Sequence, residues 1–93
     1  MKIFIHSYRK YKDNMFKDAY KACEGKKDED ECKRMVRDAY RSFESGRWWE
    51  AMNSLHKFLC ALDIDEIKRF KMEYPKIVDR VNEWAVIEEM REI

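Results

Sequence analysis

His56 and Cys60 stand four residues apart, the spacing at which an imidazole on a helix can reach a thiol one turn away and take its proton. A working pair of that kind also needs a group that orients the imidazole and a loop that stabilises an anion, and neither is visible in the sequence. Carboxylates collect at Glu88, Glu89 and Glu92, with Asp63, Asp65 and Glu66 upstream. Magnesium-dependent hydrolysis would need facing acidic pairs from several helices, and a single acidic helix end is ordinarily a solvated one. His6, Cys23, Cys32, His56 and Cys60 lack the regular spacing of a metal site, so no metal or cofactor is expected. The acidic run Asp28–Glu31 has neither the alternating ligands nor the central glycine of a calcium loop, and reads as a helix start. A glycine-rich phosphate loop and a serine nucleophile elbow are also missing. The sequence therefore favours a binding protein over an enzyme and leaves the enzyme reading open.

Two features suit binding. Lys10, Lys17 and Lys21 form one basic row, and Arg34, Arg37 and Arg41 form a second. Residues 1–47 carry 13 Lys+Arg against 9 Asp+Glu, net +4, and residues 48–93 carry 7 against 10, net −3. Such rows could contact phosphates, which makes nucleic acid the alternative partner. Asp13 lies four residues before Lys17, and Asp38 four after Arg34, so both rows are expected to be partly paired. The second feature is the tandem Trp48–Trp49. Neighbouring helical residues point about 100° apart, so a one-sided core does not readily bury both rings. Either both pack within the monomer, or Trp49 is left as an interface anchor, a residue type enriched in binding hot spots.

The tryptophans open the stretch on which the rest of the chain is organised, residues 47–62, RWWEAMNSLHKFLCAL. Trp48, Ala51, Met52, Leu55, Phe58, Leu59 and Leu62 share one helical face, and Trp49, Asn53, His56 and Cys60 form a second stripe. Around it the 3.6-residue periodicity predicts helices at 3–24, 29–45, 64–74 and 76–91. The first inward face runs through Phe4, Tyr8, Tyr11, Met15, Ala19 and Ala22, widened by Phe16, Tyr20 and Cys23. The second carries Cys32, Met35, Val36, Ala39, Tyr40 and Phe43, and the fourth Ile64, Ile67, Phe70 and Tyr74. Gly25 and Gly46 are placed as left-handed helix ends, while Asp28/Glu31 and Asp63/Glu66 have capping-box spacing. Pro75 separates the last two helices. In the fifth helix Ile77, Val78, Val81, Trp84 and Ala85 face one way, whereas Val86, Met90 and Ile93 line up on another side.

Ala39, Phe43, Gly46, Trp48, Ala51 and Leu55 resemble one hairpin of a tetratricopeptide repeat, and are similar to the middle of HEPN-type bundles. No second copy follows at the repeat period, and the Arg-to-His spacing of HEPN ribonucleases is absent, so the likeness implies a packing motif only. An enzyme resembling helical nucleotide hydrolases or HEPN ribonucleases is the third and weakest reading.

The expected fold is all-α, a single domain over 1–93 with about five helices and the third at the centre. The expected function is protein–protein interaction, as an adaptor, regulator or inhibitor that self-associates or binds another protein through Trp49, His56, Val86, Met90 and Ile93. No stretch reaches membrane-spanning length, and the opening residues lack a signal-peptide core. Three cysteines without a CxxC pattern read as free thiols, with a Cys23–Cys32 disulfide as the alternative. A cytoplasmic location is the resulting expectation.

Overall fold

The computed structural model describes the backbone of residues 2–91 and the side chains of residues 8–91; Phe4, His6, Glu92 and Ile93 lie outside that description. Five helices form: α1 (Lys2–Ala22), α2 (Glu29–Glu44), α3 (Trp48–Cys60), α4 (Ile64–Glu73) and α5 (Pro75–Arg91). α3 is the centre. It packs most extensively on α2 and next on α5, while α1 leans on α2 and α4 on α5. Ala51, Met52, Leu55, Phe58 and Leu59 are its buried face, as the periodicity requires.

The helix ends follow from local chemistry. Gly46 adopts φ +75°, where a side chain would be strained, and closes α2. Its amide donates to the Phe43 carbonyl, and the Arg47 amide donates to that of Ser42. This double closure satisfies two orphan carbonyls and reverses the chain directly into α3. Asp63 has extended geometry, accepts from the Glu66 amide at 2.9 Å, and is reciprocated by the Glu66 side chain at 3.2 Å. The expected capping box at Asp28 does not form. Asp28 has φ −111° and ψ 50°, outside the extended range that aims a cap side chain at the first turn. Glu31 turns instead to Arg34, and Glu29 accepts from the Gly25 amide at 2.9 Å. α1 ends at Ala22, earlier than expected, because its last turn tightens into three-residue bonds from Cys23 to Tyr20 and from Glu24 to Lys21.

One apolar cluster runs from Met15, Phe16 and Ala19 through Val36 and Ala39 to Leu55, Phe58, Phe70 and Val81. Three residues expected inside are largely out: Tyr8, Tyr40 and, most of all, Ile64 at 69% exposure. Ile64 opens α4, and that helix meets the core through the partly buried Ile67 and then Phe70, which meets Phe58 edge-on at 5.7 Å. Tyr40 lies over the rim, its ring against Phe16 and its hydroxyl donating to Asp13.

The reading of Cys23 and Cys32 as free thiols is corrected. They are joined in a disulfide with Cα atoms 5.6 Å apart, both buried, and Cys60 alone is free. The thiol count therefore no longer argues for a reducing compartment. No helix among the described residues is long and apolar enough to cross a membrane. Closing so short a loop restricts the unfolded chain, so Cys23→Ala with Cys32→Ala should lower stability by about 2–3 kcal/mol, measured by urea unfolding.

Polar ties complete the attachment of α1. Lys12 is buried against Glu44 at 2.5 Å, Tyr74 donates to Asp18, and the Lys76 amide donates to the Tyr11 hydroxyl. Burial pushes the Tyr74 phenol well above its ordinary value of 10.0, and the Asp18 carboxylate pushes it further. A raised pKa contributes stability that is whole below the unfolded value and is lost as pH rises through the folded one. Alkaline destabilisation should therefore begin above pH 10. Tyr74→Phe should cost about 1.5–3 kcal/mol near neutrality and flatten the alkaline limb, as read by thermal melts across pH.

Candidate docking surface and basic groove

The second stripe of α3 receives a partial cover. Trp84 of α5 meets the Trp49 ring edge-on at 5.8 Å and the His56 ring at 5.6 Å, and the Arg91 guanidinium lies 5.6 Å from the Trp49 centroid. Even so, Trp49 remains 47% exposed. Trp48 is equally open, although it packs on Phe43 at 4.9 Å. Neither ring is enclosed: Phe43 of α2 packs on Trp48, and Trp84 and Arg91 of α5 pack on Trp49, and about half of each tryptophan stays open. The indole N–H of Trp84 is buried with no hydrogen-bond partner among the described residues. A buried donor without a partner costs about 1–3 kcal/mol.

The surface continues along α5. Ile77, Val78 and Val81 are buried, whereas Val86, Ile87 and Met90 are exposed at 56%, 49% and 68%. On a helical projection these three lie opposite the buried stripe, beginning where the core-facing pattern ends. Sequence reasoning named Val86 and Met90 and missed Ile87, which flanks the same face. His56 is half-buried against Trp84. Its Nε2 lies 3.8 Å from the exposed Cys60 Sγ. No orienting group accompanies that contact among the described hydrogen bonds.

The basic rows converge. An open groove of about 910 Å³ runs between α1 and α2, with Lys17 and Lys21 on one wall and Arg37 and Arg41 on the other. Phe16, Val36, Tyr20 and Tyr40 supply apolar lining. Asp13, Asp18 and Glu24 also reach it, but Asp13 accepts from Tyr40 at 3.3 Å and Asp18 from Tyr74. None of the four cations has an ion-pair partner among the described residues. The expected Asp13–Lys17 and Arg34–Asp38 pairs do not form. Asp13 is taken by Tyr40, and Arg34 turns toward the N-terminus of α2 to meet Glu31 at 2.5 Å. Lys10 and Arg34 lie outside the groove. Beside it, burial pushes the Tyr40 phenol upward, with Glu44 and Asp13 adding to the effect, and Lys12 holds the Glu44 carboxyl below its usual range.

The carboxylates do not assemble. Glu88 sits 3.7 Å from Arg91, and no group of three His, Cys, Asp or Glu among the described residues is arranged to hold a metal ion. Comparison of the chain with protein-family models, curated proteins and solved structures gives no match.

Proposed function

We propose that this chain is a small helical interaction module that self-associates through the Trp49 end of α3 and the outer face of α5. The observation that carries the reading is exposure. Trp49 on α3 and Val86, Ile87 and Met90 on α5, which packs against α3, all stand open, in a chain 42% of whose residues are charged. Trp and Met are enriched at interfaces, and Arg91 supplies a charged rim beside Trp49. Fully covering an aliphatic side chain stabilises by about 1.5–3 kcal/mol, whereas association costs about 4–15 kcal/mol in lost freedom. The patch by itself thus supports weak, concentration-dependent pairing. Light scattering should give a mass that rises above one chain as concentration increases. Val86→Glu with Met90→Glu should return it to the monomer while circular dichroism and melting temperature hold steady. A wild-type chain that stays monomeric at millimolar concentration would defeat self-association.

A second reading is favoured by one observation, the meeting of Lys17, Lys21, Arg37 and Arg41 at one groove. Four neutralised phosphates on a single strand would give a log–log salt slope of about −2.8, reduced by Lys17→Glu with Arg37→Glu. Filter binding of an oligonucleotide at several salt concentrations measures it, and salt-independent retention would discard it.

A further inference from the structure

We infer that the partner surface for the end of α5 is the α1–α2 groove of a second copy of this chain. The inference rests on the docking role proposed above for α5 and names what that helix docks into. Residues 83–91, EWAVIEEMR, carry three glutamates against one arginine, net −2, and expose Val86, Ile87 and Met90. The groove presents four cations and three carboxylates with apolar side chains between them; the cations have no ion-pair partner among the described residues, while Asp13 and Asp18 accept from tyrosines. An amphipathic helix laid in that groove buries its apolar stripe and brings Glu83 and Glu89, which share the outer half of α5 with it, toward the cations, whereas Glu88 stays with Arg91.

The obvious competitor, α5 against α5 across a twofold axis, brings two segments of net −2 together, and like charges at an interface are penalised. The groove removes that conflict and uses the asymmetry of the chain, +4 before residue 48 and −3 after it. It also supplies an ionic contribution that the apolar patch alone lacks. Because tail and groove are different surfaces, the contact is heterologous.

Complementation tests this. Arg37→Glu with Arg41→Glu disables the groove and spares the tail; Val86→Glu with Met90→Glu disables the tail and spares the groove. All four positions are exposed, so both chains should fold. Each variant alone should self-associate more weakly on the order of a hundredfold, since reversal sets like charges or buried carboxylates at the contact. Mixed in equal amounts, they should form a one-to-one complex by native mass spectrometry and sedimentation, with one intact tail in one intact groove. Adding Glu83→Lys and Glu89→Lys to the groove variant should restore its own self-association. A groove variant that pairs as well as wild type overturns the groove as partner and leaves the α5 docking surface standing. Undiminished pairing by the tail variant overturns the docking reading itself, and a wild type monomeric throughout overturns both. Oligonucleotide binding lost in the groove variant while its self-association persists assigns the groove to nucleic acid instead.

Discussion

The structure depends on α3 being gripped along one stripe, with Ala51, Met52, Leu55, Phe58 and Leu59 held between α2 and α5. That grip fixes the angle of the α2–α3 hairpin and the position of Phe58, on which Phe70 and hence α4 rest. It also sets what is left open. A helix has one circumference, and a chain of 93 residues has few helices with which to cover it. α2 and α5 take the stripe through Leu55, and Trp84 and Arg91 of α5 partly cover the stripe through Trp49 and His56. The half-exposed tryptophan is therefore a consequence of how the core is closed.

α1 is attached by different means. It offers a modest apolar face in Met15, Phe16, Ala19 and Cys23, and its remaining ties to the bundle are covalent or polar. The Cys23–Cys32 disulfide holds its C-terminal end to α2, and the pair between buried Lys12 and half-exposed Glu44 holds it nearer its other end. The groove lies between these two ties. Its cations are held apart by a clamped framework rather than by contacts among themselves, which leaves them available to a ligand of opposite charge.

Periodicity made the five helices and the central role of residues 47–62 legible, because a long apolar stripe leaves few other structures. The Asp63/Glu66 box was legible too, since the cap and its reply lie within four residues. The same spacing failed at Asp28 because its backbone conformation comes from the Gly25 turn rather than from the motif. Ile64 misled for a related reason: its periodicity is correct, but α4 meets the core from Ile67 onward and leaves its first residue open. The disulfide needed a distance between two helix ends, which spacing does not contain. Surplus apolar residues pointed to Trp49, Val86 and Met90. The basic rows were visible as rows, yet nothing local said that Lys17, Lys21, Arg37 and Arg41 would line one groove while Lys10 and Arg34 would not.

The proposed dock combines two forces with opposite responses to the solvent. Burial of Val86, Ile87 and Met90 is strengthened by excluded salts such as sulfate, whereas attraction between glutamates and the groove cations is screened over about 8–10 Å at moderate ionic strength. Neither force is large here. The apolar side chains are few, and exposed ion pairs are worth about 0–1 kcal/mol each. An interface made of either alone would barely offset the freedom lost on association. Together they require an acidic and apolar helix to meet a basic and apolar groove in register, so a partner that satisfies only one condition binds poorly. Selectivity then comes from the coincidence of the two surfaces, and a chain with a positive first half and a negative second half carries both.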